Sequence, residues 1–189
     1  LDEIAAALGA DPYQFRRGLL ADGNPVLTVL DMAATAATWG GSLPAGHHQG
    51  IACHNTYGST PVAMVAEVSV AAGVVTVHRV DCAGDCGRVV HPDMVAEQME
   101  GGIVFGLTSL LKGEITYVDG AVQQTNFGDY PLLQLAEMPV VKVHLVDSDR
   151  APQGVGEMAV PPIVPAVLNA VFACTGTRIR HTPIRIGDR

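Results

Sequence analysis

Basic side chains are scarce in this sequence. Its 189 residues hold 11 Lys and Arg against 19 Asp and Glu, a formal net charge of −8. A nucleic-acid binder needs a basic face to displace counterions from phosphates, so that class is excluded. Charge of either sign is thin: charged residues make up 16% of the chain and hydrophobic ones 48%. A free-standing soluble protein of this length usually carries more charge. The shortfall points to surface reserved for a partner or a second domain. Long apolar runs are missing too. Charged or turn residues interrupt every stretch before it reaches the length of a transmembrane segment. No export signal is visible. The opening Leu1-Asp2-Glu3-Ile4 reads as the middle of a helix and no Met precedes it, so a processed piece or part of a longer subunit is expected.

The usual marks of several chemistries are also missing. Of the four cysteines, Cys82 and Cys86 are close, but no second pair at comparable spacing completes a zinc site. No four-thiolate run marks an iron–sulfur cluster. The cysteines read as small buried hydrophobes. No two histidines have the helical spacing of a zinc protease, and His47-His48 reads as solvated loop. There is no Gly-x-Ser-x-Gly elbow. Gly102–Gly106 lacks the lysine of a phosphate loop.

What is present is a helical beginning followed by strands. The length suits one domain, or an uneven one and a half, and can bury a core without staples. Residues 1–45 read as a helical lead-in, with Gly9 as a stop, Asp11-Pro12 as an N-cap before a first-turn proline, and Val26–Trp39 at helical spacing. Residues 46–189 read as the main domain. Gly50–Tyr57, Val62–Val70 and Val74–Val80 are rich in Val, Ala and Thr and separated by short turns, which predicts antiparallel strands. His91-Pro92-Asp93 opens a helix to about Leu111. Glycine inside a helix costs about 1 kcal/mol relative to Ala. Gly101, Gly102 and Gly106 therefore imply either a ligand or backbone in close approach, or tight helix–sheet packing. Asp119-Gly120 predicts a hairpin between Lys112–Tyr117 and Ala121–Thr125. Val140–Val146 reads as a strand, Ser148–Gly156 as a loop, Pro161–Thr175 as a proline-entered helix and Arg178–Ile186 as a basic tail.

The richest stretch is Gln153-Gly154-Val155-Gly156-Glu157-Met158-Ala159-Val160-Pro161-Pro162. A carboxylate between a glycine turn and a helix start has two uses. It can cap the helix and complement its dipole. It can also act as a general base, because flanking glycines let a ligand come close.

Val155-Gly156-Glu157 before a proline-opened helix resembles the active-site motif of the xanthine oxidase and aldehyde oxidoreductase family. Asp85-Cys86-Gly87-Arg88-Val89-Val90-His91-Pro92 and Gln98-Met99-Glu100-Gly101-Gly102-Ile103-Val104-Phe105-Gly106-Leu107 resemble the second molybdopterin-binding domain of the same family. The isoquinoline 1-oxidoreductase beta-subunit type is most similar, and Pro161-Pro162-Ile163 and Thr175-Gly176-Thr177-Arg178-Ile179-Arg180 agree with it. The resemblance runs over essentially the whole chain. It implies an α+β fold in which antiparallel strands pack with helices, the C-terminal molybdopterin-binding domain of a molybdenum hydroxylase.

The same resemblance implies roles. Glu157 matches the catalytic base. Gln98 matches a glutamine that contacts the pterin; the alternative is a polar helix residue bonded to a neighbouring loop. Gly154, Val155 and Gly156 match the loop beside the metal, and Gly101 and Gly102 fit a helix close to the cofactor. No residue here is expected to ligate the metal. The implied cofactor is a molybdenum–pterin cytosine dinucleotide shared with a first molybdopterin-binding domain or subunit, with iron–sulfur clusters on a partner subunit. The implied reaction hydroxylates an aldehyde or N-heterocycle with water as oxygen source, and the chain alone should be inactive. Bacterial periplasm and cytoplasm both stay open. Two departures stand out: His91 replaces the usual asparagine before Pro92, and Met158-Ala159 replaces Pro-Gly after the glutamate. They motivate a second reading, a non-catalytic assembly module. A third is an unrelated binding protein in which Glu157 is only a cap.

Overall fold

The computed structural model describes residues 1–187. Three short helices come first, α1 (Asp2–Ala7), α2 (Pro12–Gly18) and α3 (Pro25–Ala36). Asx-Pro punctuation sets two of their starts. The Asp11 side chain accepts from the Gln14 N–H and Asn24 from the Val26 N–H, each ahead of a proline that has no N–H to leave unpaired. Gly9 ends the first turn of this region with φ of +64°.

Strands β1 (His47–Thr56), β2 (Thr60–Ala71) and β3 (Val74–Gly84) form an antiparallel meander. Helix α4 (Pro92–Leu111) leads to the small hairpin β4 (Tyr117–Val118) and β5 (Ala121–Val122), then to β6 (Val140–Leu145) and α5 (Val160–Thr175). The sheet order is β1-β2-β3-β6. Its first three strands are antiparallel, as expected, but β6 runs parallel to β3, from Arg79 opposite Val140 to Gly84 opposite Leu145. A parallel neighbour needs a long crossover, and α4 is part of it. The hairpin is shorter than Asp119-Gly120 implied, two residues a side, although both turn residues take the positive φ that a tight hairpin turn requires.

Strand β2 is almost continuously apolar because the sheet is covered on both faces. Val62, Met64, Ala66 and Val68 pack against Met99, Ile103 and Leu107 of α4 and Ile163, Ala166 and Ala170 of α5. Ala63 and Val65 face the other way, onto Val29, Leu30 and Ala33 of α3. The helical lead-in is therefore the lid on the second face of the sheet. The basic tail returns to it: Arg178 and Arg16 both pair with Asp2, at 2.9 and 3.2 Å, and Arg180 pairs with Glu3.

Gly102 and Gly106 of α4 serve helix–helix rather than helix–sheet packing. A Cβ on Gly102 would lie 3.1 Å from the Ala159 Cβ, and one on Gly106 would overlap Ile163. His47 is not solvated loop. It begins β1, its Nδ1 lies 2.6 Å from Glu67 Oε1, and its ring stacks on His78 with centroids 4.0 Å apart. All four cysteines are free, with Cys82 and Cys86 buried and Cys53 and Cys174 partly so. No helix among the described residues is long and apolar enough to cross a membrane.

Candidate cofactor cleft

The loop of residues 146–159 runs from the end of β6 to the start of α5, and its path is set by residues far away in the chain. Backbone bonds join it to the segment after β3: Gln153 N–H donates to the Cys86 carbonyl at 2.8 Å and Arg88 N–H to the Arg150 carbonyl at 2.9 Å. The Arg150 guanidinium pairs with the buried Asp85 carboxylate at 2.9 Å and donates to the Asp85 and Ser59 carbonyls. Burial alone would raise the Asp85 carboxyl. The Arg150 bond, the Gly87 N–H bond and the Arg150 charge outweigh it and hold that pKa below its ordinary value, so the carboxylate stays ionised at neutral pH. Gly87 is required here. Its φ is +72°, and a Cβ would sit on the Ala151 carbonyl.

Two further bonds hold the glycine turn. Thr60 Oγ1 donates to the Gly154 carbonyl at 2.9 Å, and Gln98 Nε2 donates to the Gly156 carbonyl at 2.7 Å. The carbonyls are thus tied inward. The backbone N–H groups of Gly154, Val155, Gly156 and Glu157 donate to no acceptor among the described residues. The Glu157 side chain is exposed and has no hydrogen-bond or ion-pair partner among them. It does not cap α5, whose N-cap residue Ala159 makes no side-chain bond.

Beside this turn lies a cleft of about 490 Å³ walled by Val89, Val90, Met94, Gln98, Val155 and Gly156, with Arg88 and Cys86 also on its lining. Met94, Gln98, Gly101 and Phe105 form one exposed face of α4 that runs on from the cleft. Gly101 leaves a notch in that face, with nothing within 4 Å of where a Cβ would be.

Of the residues singled out from sequence, Gln98, Val155 and Gly156 meet in the cleft wall, and Gly154 and Glu157 flank them on the same turn. Gly101 opens onto the adjoining surface. Gly102 does not: it is buried against α5. Gln98 makes the loop bond that was its alternative reading. Sequence reasoning missed Thr60, Asp85, Gly87 and Arg150 as loop anchors. Only Gly87 carried a signal, a glycine after Cys86 where the strand block ends; the other three are separated by up to 94 residues from their partners.

Both departures are absorbed locally. The His91 Nδ1 accepts from the Met94 N–H at 3.3 Å, an N-cap bond that asparagine also makes. Met158 and Ala159 are buried in the main core, where they pin the far end of the turn.

These residues fit an oxygen-rich, partly planar cofactor. Four backbone N–H groups in sequence are left without a partner among the described residues and can donate to oxygens. The apolar wall and the Gly101 notch admit a flat ring system. Arg88 is largely exposed and its pair with Asp149 is a long one, 3.8 Å between solvent-exposed groups, so it can turn to meet a phosphate.

A family model described as "Molybdopterin cofactor-binding domain" matches residues 1–139. The turn bearing Glu157 lies beyond that match. The chain is 36% identical to isoquinoline 1-oxidoreductase subunit beta of Brevundimonas diminuta over 98% of its own length, and spans 24% of that relative's length. Among solved structures, quinoline 2-oxidoreductase from Pseudomonas putida 86 shares the fold at a TM-score of 0.60 and 24% identity, covering 66% of this chain and 17% of that one. Aldehyde oxidoreductase from Desulfovibrio desulfuricans matches at a TM-score of 0.58 and 26% identity, covering 66% of this chain and 14% of that one.

Proposed function

This chain belongs to the molybdopterin cofactor-binding domain family, and we propose that it forms the C-terminal part of a molybdenum hydroxylase's catalytic subunit, with Glu157 as general base. The observation that carries this reading is the turn at 154–157. It carries four backbone N–H groups and a carboxylate that have no partner among the described residues, and Val155 and Gly156 of the same turn line the cleft.

The N–H groups of Gly154, Val155 and Gly156 would hold oxygens of the cofactor. Gly101 would let its ring system lie close to α4, and Arg88 would meet the phosphates of a cytosine dinucleotide form. When bound, the molybdenum–pterin group would supply the two-electron oxidising chemistry. Glu157 would take the proton from a water-derived oxygen as that oxygen adds to the electron-poor carbon of an aldehyde or N-heterocycle. A general base must lie within hydrogen-bond reach of the proton it abstracts, and its pKa must suit the task. Glu157 is exposed in this chain, so its desolvation must come from a companion, the first molybdopterin-binding domain or subunit. Alone, the chain should therefore be inactive. Electrons would leave through iron–sulfur clusters on a partner subunit. The lead-in over residues 1–45 would serve as a brace for the sheet, and residues 46–189 would carry the cofactor face.

The test is metal and pterin analysis of the protein assembled with its companion. Stoichiometric molybdenum and pterin are expected. Full assembly with neither would contradict the proposal and favour a non-catalytic assembly module.

A further inference from the structure

Thr60 opens β2, where it is fully buried, and its hydroxyl reaches across 94 residues of sequence to the Gly154 carbonyl. The surroundings belong to the same cluster. Ser59 gives its carbonyl to Arg150, and Pro61 gives its carbonyl to the Asp85 N–H. The start of β2, the end of β3 and the loop of residues 146–159 are thereby joined at one point.

We propose that Thr60 is a positioning residue for Glu157, an inference that rests on the general-base reading above. In a trans peptide the C=O and the following N–H point in opposite directions. A hydroxyl that draws the Gly154 carbonyl into the protein therefore turns the Val155 N–H away from the protein body. The Gln98 bond to Gly156 does the same for the Glu157 N–H. Gly154 and Gly156 have no side chains, and a Cβ at either would meet nothing within 4 Å, so packing holds this turn only through Val155 and the buried Met158 and Ala159 beyond it. Glycine also has the widest choice of backbone conformations. Side-chain anchors must supply the order, and Thr60 holds the end of the turn nearer the Asp85–Arg150 pair.

Thr60→Val keeps the shape and the strand preference and removes only the hydroxyl. Thr60→Ser keeps the hydroxyl. In the assembled protein, the amide of Gln153, which is protected by its bond to Cys86, should exchange about tenfold faster in Thr60→Val. The Tm should fall by only the few degrees that the loss of one hydrogen bond costs, about 2–4 °C per kcal/mol, and kcat should fall about tenfold at unchanged KM. Thr60→Ser should restore both. If Val misfits the site and unfolds the protein, Thr60→Ala against Thr60→Ser gives the same contrast. Wild-type exchange at Gln153 without the hydroxyl overturns the proposal, as does faster exchange with unchanged kcat. Failure of the general-base reading is separate: it shows as turnover surviving in Glu157→Gln, whatever Thr60 does.

Discussion

Glu157→Gln is expected to lower turnover of the assembled, cofactor-loaded protein by about 100- to 10,000-fold, the usual contribution of a positioned general base. Gln has the size and shape of Glu and lacks only the proton-accepting charge. The Glu157 carboxylate makes no bond within the described residues, so its loss leaves no buried donor unsatisfied. The Tm and the molybdenum content should match wild type. That combination separates a chemical role from a structural one, because a residue that only capped α5 would affect Tm and spare turnover. Steady-state kinetics on the loaded variant decides it, and wild-type kcat would end the assignment.

Gly50→Ala should have the largest effect on folding. Gly50 lies in β1 opposite Ala66, and α5 crosses directly over it. A Cβ there would overlap the Ala166 carbonyl and the Ala170 nitrogen, both backbone atoms of α5 that no side-chain rotation can move aside. Helix α5 would have to lift from β1, breaking the bond from the Asn169 side chain to the Ile51 carbonyl. Overpacking of this kind costs about 3 kcal/mol, at the upper end of its usual range. For a domain of this size that is roughly 6–12 °C in Tm. Gly101→Ala is the internal control. It sits in a helix interior with open space around it, so Ala there should stabilise the fold by about 1 kcal/mol. A thermal melt of both variants checks the pair of signs, and equal behaviour would show that the β1–α5 approach is not as close as described.

Much of the fold was legible because it is written locally. Asp11-Pro12 and His91-Pro92 mark helix starts through the side-chain acceptor and the missing proline N–H, and both caps are present. The Val-rich runs over 50–80 are strands because they lie in a sheet covered on both faces. What the pattern does not carry is partner choice. A run such as Val140–Val146 has no mark telling it to pair parallel with β3, since that choice depends on the crossover through α4. The glycines of α4 looked equivalent and are not: Gly102 and Gly106 accommodate α5, while Gly101 faces outward. Low charge content leaves apolar side chains on the surface, Val90, Met94 and Phe105 among them. His47 was misread because adjacent histidines after a glycine look like loop. Its pairing with Glu67 and stacking on His78 depend on strand register. The site followed the same rule. Gly154–Glu157 could be picked out as a short motif, whereas its anchors Thr60, at the start of β2, and Asp85, just after β3, are brought to it only by the folded sheet.

The central claim is that Glu157 faces a cofactor delivered by another domain, and carboxylate labelling measures this directly. The assembled protein would be treated with a carbodiimide and an amine, before and after removal of the cofactor, and modification at Glu157 read by peptide mass. The account predicts a labelled Glu157 in the cofactor-free protein and a protected one in the loaded protein. Equal labelling in both states would contradict it.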